Sequence, residues 1–179
     1  MSETSIVAIV VAVIAAIGTI LAVILPGIRK RQQEKVEMSL KKPVLYGATI
    51  KLVHNETGQA LHSHKFNYTH PNSSNQQQVT AYPRDNTDDY WIVRGPHNFL
   101  SDYKMGETIK SGEVIRLEHK NTQGKLHSHS GRPSPISEDQ EVTVFGNDGN
   151  GDTNDNWILE VENNTIWLEG LKVRLVHKK

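Results

Sequence analysis

Four histidines stand in two identical tetrapeptides, Leu61-His62-Ser63-His64 and Leu126-His127-Ser128-His129. Imidazoles at this spacing can hold a transition metal, act as base on a hydroxyl, or lock a local structure by hydrogen bonding. In an extended strand His62 and His64 share one face, while Leu61 and Ser63 take the other. Ser63 and Ser128 therefore point away from the imidazoles beside them, which excludes a serine–histidine catalytic pair. Zinc asks for three or four converging ligands. His54 or His119 would be the third nitrogen, but no carboxylate or cysteine recurs at a spacing that completes either site. No metal and no cofactor is assigned. The leading role for the imidazoles is hydrogen bonding to backbone in a turn-rich region. Ligand contact by His62, Ser63, His64, His127, Ser128 and His129 is the second.

Other residues able to do chemistry fall short of a set. Asp148, Asp152 and Asp155 lie in GNDGNGDTND, but this string lacks the EF-hand spacing and its closing glutamate. Asp88-Asp89 precede Trp91, and Asn154-Asp155 precede Trp157 in the same way, so a turn or cap role accounts for both copies. There is no nucleophile elbow, phosphate loop or H-E-x-x-H. The expectation is a non-enzyme. Absence of cysteine removes disulfides and thiolate ligands, and 20 basic residues balanced by 20 acidic ones give no field that would gather nucleic acid.

The elements that must position these histidines are repeats. IKLVHNETGQALHSH (Ile50–His64) aligns without gaps on IRLEHKNTQGKLHSH (Ile115–His129). QQVTAY then answers QEVTVF, DDYWIV answers NDNWIL, and VRLVH (Val173–His177) opens a third copy. Short alternating runs separated by Asn, Gly, Pro, Asp and Ser clusters are strands and turns. Four strands per copy are expected: Thr49–His54, Ala60–His64, Gln77–Tyr82 and Tyr90–Val93, then Val114–His119, Lys125–His129, Glu141–Phe145 and Trp157–Val161. Four-strand units in two copies and a fraction suit an all-β trefoil better than a propeller. The expected fold is a β-trefoil over 43–179, with repeats 43–98 and 99–162 and an incomplete third repeat 163–179. The open edge left by the third repeat would be filled by missing chain, or by self-association.

Composition changes sharply before residue 43. Ser5 to Leu25 is uncharged and built from Ile, Val, Ala and Leu, long enough as a helix to cross a bilayer. Residues 29–42 carry Arg29, Lys30, Arg31, Lys35, Lys41 and Lys42 against Glu34 and Glu37. The expectation is one N-terminal transmembrane helix in 1–28, giving a single-pass membrane protein with the lipid bilayer as partner, and a basic juxtamembrane linker over 29–42. The basic cluster favours a cytoplasmic domain. Sequons at Asn55, Asn67, Asn72 and Asn163 favour a lumen, where they would be glycosylated.

The string from the upstream I-R-L-x-H through LHSH to Q-E-V-T-V-F-G-N-D-G-N-G-D-T-N-D-N-W resembles the MIR domain. That module is shared by protein O-mannosyltransferases, stromal-cell-derived factor 2-like proteins, and inositol trisphosphate and ryanodine receptors. VLYGATIKLVH (Val44–His54) is similar to the opening of a mannosyltransferase MIR region. The resemblance covers about residues 43–177. It implies a β-trefoil, usually non-catalytic, that binds a protein or glycan ligand. In the mannosyltransferases and stromal-cell-derived factors it lies in the endoplasmic reticulum lumen; in the receptors it is cytosolic. The expected function is a membrane-anchored binding module of the endomembrane system. The alternative is an accessory subunit or fragment of a protein O-mannosyltransferase, contributing acceptor binding and no chemistry.

Overall fold

A computed structural model describes residues 22, 24–134, 137–146 and 150–178. They fall into two units divided between Lys42 and Pro43. The first contains a helix over residues 24–40, exposed along nearly all its length. It carries Arg29, Lys30, Arg31, Glu34, Lys35 and Glu37, with Lys30 and Glu34 placed for an i,i+4 pair. The expected transmembrane helix is corrected here. No helix among the described residues is long and apolar enough to cross a membrane, because the described helix carries six charged residues between Arg29 and Glu37. Of the expected span Ser5–Leu25, all but residues 22, 24 and 25 lies outside the described residues.

The second unit holds nine strands: β1 (Thr49–Lys51), β2 (Ala60–Asn67), β3 (Gln77–Tyr82), β4 (Tyr90–Arg94), β5 (Val114–His119), β6 (Lys125–Pro133), β7 (Gln140–Phe145), β8 (Trp157–Val161) and β9 (Val173–His177). Every pairing is antiparallel. β1, β4, β5, β8 and β9 join in that order into a near-barrel wall, with β5 bonded to β4 on one side and β8 on the other. β2–β3 and β6–β7 are hairpins, each broken by a register shift after the LHSH serine, and they meet through Gln77–Val144 and Gln78–Thr143. A wall of strands carrying hairpins at one end is a β-trefoil-like, all-β arrangement.

The strand positions follow the alternation of the sequence, but the hairpin strands run on past LHSH, β2 to Asn67 and β6 to Pro133. β1 stops at Lys51, and Val53 makes only an isolated bridge to Ala60. Pairing in each repeat also begins before the first expected strand. Bridges Pro43–Leu168, Leu45–Thr108 and Lys110–Ile166 bring three pre-strand segments together. These segments bury Val44, Tyr46, Ile109 and Trp167 in the shared core with Trp91, Ile115, Leu117, Leu126, Trp157 and Leu159. Pro-Val-Leu-Tyr-Gly, Thr-Ile-Lys-Ser-Gly and Ile-Trp-Leu-Glu-Gly are therefore three copies of one element. Each ends in a glycine at positive φ, Gly47 at 85°, Gly112 at 90° and Gly170 at 73°, where a side chain would be strained. One bridge residue per segment is too short a signal for periodicity to detect.

The two tryptophans are held alike. Trp91 Nε1 donates to Leu61 O and Trp157 Nε1 donates to Leu126 O, both at 2.9 Å. Trp91→Phe and Trp157→Phe keep most of the apolar bulk and leave those carbonyls without this donor. Each substitution should lower unfolding free energy by about 1–3 kcal/mol, measured by urea denaturation. A loss of that size in one copy alone would show that the copies are not mechanically equivalent.

Candidate functional site

The first histidine of each LHSH sits on a strand face that packs against a 3-10 turn. Those turns, Thr87–Asp89 and Thr153–Asp155, begin with capping boxes. Asn86 and Asp152 accept from the N–H groups of Asp88 and Asn154, and Asp89 and Asp155 accept from the N–H groups of Asn86 and Asp152. The second oxygen of each closing carboxylate takes an imidazole. His62 Nδ1 lies 2.9 Å from Asp89 Oδ1, and His127 Nδ1 lies 2.7 Å from Asp155 Oδ1. All four side chains are buried. The sequence reading treated these aspartates as turn residues and found no carboxylate matched to the histidines. The signal present was an Asp two residues before the Trp in both copies.

The serines behave as their strand face requires. Ser63 Oγ donates to Gln78 O at 2.6 Å and Ser128 Oγ donates to Glu141 O at 2.7 Å, and both are fully buried. Gln77 and Gln140 then donate to these hydroxyls. The second histidines differ. His64 stands edge-on to His62 and Phe66. His129 Nε2 lies 2.8 Å from His127 Nε2. His127 is thus bonded through both ring nitrogens, to Asp155 and to His129. Burial, and then the neighbouring His127, hold His129 below the ordinary imidazole value. Of the six expected contact residues, His62, Ser63, His127 and Ser128 are thus internal, and His64 and His129 alone are partly exposed.

A third class of histidine closes the junction between repeats. His119, at the end of β5, packs on Trp91 with ring centroids 5.1 Å apart and donates through Nε2 to Asp88 O at 3.0 Å. His177 does the same to Trp157 and Asn154 O, at 5.0 and 3.0 Å. Thr122 and Thr57 sit 2.8 and 2.9 Å from Nδ1 of His119 and His54. His127, Asp152 and Asp155 are the described residues whose donor atoms lie close enough for a cation. Holding one there would require His127 to give up the Nδ1 proton shared with Asp155.

Beside this framework lies an open cleft of about 730 Å³, lined by Lys65, Asn67, Asn75, Gln76, Gln77, Thr122 and Phe145 among others. Gln77 is tied to Ser63 and Thr122, and Gln76 accepts from Thr143. Lys65, Asn67, Asn75 and Phe145 are exposed on its rim. Side-chain amides beside an aromatic ring suit a polar, uncharged ligand.

Fold and framework together define a β-trefoil-like module with histidine-locked repeats and no catalytic set among the described residues. The MIR domain model matches residues 69–170. Stromal cell-derived factor 2-like protein of Dictyostelium discoideum is 40% identical over 160 residues, which is 88% of this chain and 74% of that protein. Stromal cell-derived factor 2 of Homo sapiens is 38% identical over 135 residues, 75% of this chain and 61% of that protein. The crystal structure of the SDF2-like protein from Arabidopsis thaliana superposes with a TM-score of 0.70 at 41% identity, over 76% of this chain and 74% of that one. The S. cerevisiae protein O-mannosyltransferase Pmt1–Pmt2 complex bound to the sugar donor gives 0.65 at 33% identity, over 76% of this chain but 20% of that one. The chain belongs to the MIR domain family. Its curated relatives are stromal cell-derived factor 2-like proteins, and the mannosyltransferases match it through their MIR part, so these residues carry the non-catalytic module.

The locks set the response to acid. Burial, outweighing the bond to Asp88 O, lowers His119, and burial also lowers His129, from an ordinary 6.5. Both then bind protons more readily unfolded, so stability falls as pH drops below about 6.5. Burial would raise Asp89, but Lys51 and His62 outweigh it and hold it below 3.8; Arg94 and Lys125 likewise outweigh burial at Glu118 and hold it below 4.5. Their contribution is full above those ordinary values and is lost as pH falls through the lowered ones. The melting temperature should therefore be flat above neutrality and fall in two stages on acidification. Scanning calorimetry from pH 8 to 3 checks this, and His119→Gln should weaken the upper stage.

Proposed function

We propose that the chain is a non-catalytic binding module that engages a protein or glycan ligand in the lumen of the endomembrane system. The observation that carries this is the amide-and-aromatic cleft beside a framework whose histidines, serines and aspartates are already committed to one another. The exposed Phe145 ring offers a stacking face, and Asn75 offers a paired donor and acceptor beside it. Within the LHSH sets, His64 presents a partly exposed ring to a bound ligand. A lumenal setting is supported by the exposure of Asn55, Asn67, Asn72 and Asn163, which leaves every sequon open to modification. The likeness to the MIR part of a mannosyltransferase complex supports a second reading, in which the same cleft receives the acceptor of such an enzyme.

The test is calorimetric titration of the chain with oligomannose glycans and with serine/threonine-rich peptides, glycosylated and not. Phe145→Ala and Asn75→Ala should weaken binding at least tenfold while leaving the fold intact by circular dichroism. Unchanged affinity in both variants would remove the cleft from the function. Preference for the unglycosylated peptide would favour the acceptor reading. A mobility shift of the expressed chain on endoglycosidase treatment checks the lumenal assignment.

A further inference from the structure

Asn67, on the rim of the amide cleft, is the acceptor position of the sequon Asn67-Tyr68-Thr69. Of the four sequon asparagines it is the one that lines the cleft; Asn55, Asn72 and Asn163 do not. Asn67 and Thr69 are both exposed. The bond from Gln78 Nε2, at 3.0 Å, goes to the backbone carbonyl of Asn67, and its side-chain amide makes no hydrogen bond among the described residues. Tyr68, between acceptor and threonine, anchors the chain by donating its hydroxyl to Val79 O at 3.0 Å. The acceptor amide is thus uncommitted, on a fixed support, at the mouth of a cavity.

The fold places no demand on this asparagine. Strand pairing sets Asn67 opposite Gln77, and in the second copy sets Pro133 opposite Gln140. Gln77 and Gln140 are equivalent, since each donates to the serine of its LHSH. The matching position therefore accepts a proline, which offers neither a side-chain amide nor a backbone donor. The distances suit a tethered occupant. Asn67 pairs with Gln77, and Gln77 pairs with Val144 across the meeting of the two hairpins. Two strand spacings, about 10 Å, separate Asn67 from Val144, so the first sugars of a chain attached at Asn67 reach the far wall. The cleft, about 730 Å³, has room for them. Its polar groups suit them too. Asn75 is bonded through its backbone N–H and not its amide, and Gln76 is held through Oε1 by Thr143, which leaves its Nε2 hydrogens for a ligand. An N-acetylhexosamine is uncharged and offers an amide and hydroxyls to such partners.

We propose that a glycan carried by Asn67 folds into this cleft and closes it to ligands arriving from solution, so that glycosylation of Asn67 turns the binding module off. The modification is a group transfer. Asn67 Nδ2 bonds to the anomeric carbon of a diphosphate-linked oligosaccharide donor, the bond from that carbon to the diphosphate oxygen breaks, and an amide proton leaves. Attachment at the rim gives the first sugars an effective concentration of roughly millimolar order, which a free ligand of the same chemistry must exceed to displace them. The inference rests on the lumenal binding-module reading and adds its regulation.

The experiment uses the full chain expressed in eukaryotic cells. The triple variant Asn55→Gln, Asn72→Gln, Asn163→Gln leaves Asn67 as acceptor. Adding Thr69→Ala blocks transfer and keeps the Asn67 side chain. Glycopeptide mass spectrometry reads occupancy. Endoglycosidase should release the Asn67 glycan at least tenfold more slowly from the folded chain than from the unfolded one, whereas a chain carrying its glycan at Asn163 should show no such difference. In calorimetric titration with free oligomannose, the glycosylated chain should bind at least tenfold more weakly than the Thr69→Ala chain. Glycans on Asn55 or Asn163 of the unmutated chain without one on Asn67, equal release from folded and unfolded chains, or equal measurable affinity with and without the glycan would each overturn the proposal. Absence of a glycan from every sequon would remove the lumenal reading with it. If the Thr69→Ala chain takes no oligomannose, that ligand is lost from the binding reading, and the release rates alone decide whether the glycan lies in the cleft.

Discussion

The contact on which the domain depends is the bond between an LHSH imidazole and the carboxylate of a 3-10 turn. His62–Asp89 and His127–Asp155 each join a cap hairpin to the turn that launches a barrel strand. The aspartate is bonded by the cap N–H through one oxygen and by the imidazole through the other, so neither partner is left unsatisfied in the interior. Removing one partner of such a pair exposes the other to the full cost of burial. The tryptophan two residues downstream then donates to the carbonyl of the leucine that precedes the histidine. Leu-His and Asp-x-Trp are therefore the two halves of one clasp, closed in each of the first two repeats.

That clasp commits the first histidine of each LHSH to the interior of the domain. A base needs a free nitrogen near a reacting group, and a metal ligand needs a lone pair aimed at a shared point. Here Nδ1 is spent on aspartate in both copies, and in the second copy Nε2 is spent on His129. The serine between the histidines is spent on backbone. The clasp also holds in place the amide cleft beside the hairpins.

Much of this was legible from the residues. Strand alternation placed β3, β5 and β8 at their observed limits, and the gapless match of the LHSH flanks revealed the repeats. The faces of Ser63 and Ser128 followed from strand geometry. The clasp partners were not paired in advance, because Asp89 lies 27 residues from His62 and only folding brings them together. The pre-strand segments ending at Gly47, Gly112 and Gly170 escaped notice because one bridge residue leaves no period. The transmembrane reading took its argument from the hydropathy of Ser5–Leu25, whereas the described helix is the charged stretch beyond it. The facing of Arg94 and Arg116 needed the strand register, which composition cannot supply.

His119 and His177 belong by sequence to one copy but complete the interior of the copy before it, stacking on its tryptophan and bonding its turn. The stretch that recurs along the chain is thus out of phase with the stretch that closes a hydrophobic interior. A segment cut from Gly47 to Ser111 would hold a whole period of the pattern and still leave the Trp91 indole without its lid. Duplication by whole periods adds each new lid along with the next period's first strand, so such a module lengthens or shortens at the loops after these histidines with least damage to what is already packed.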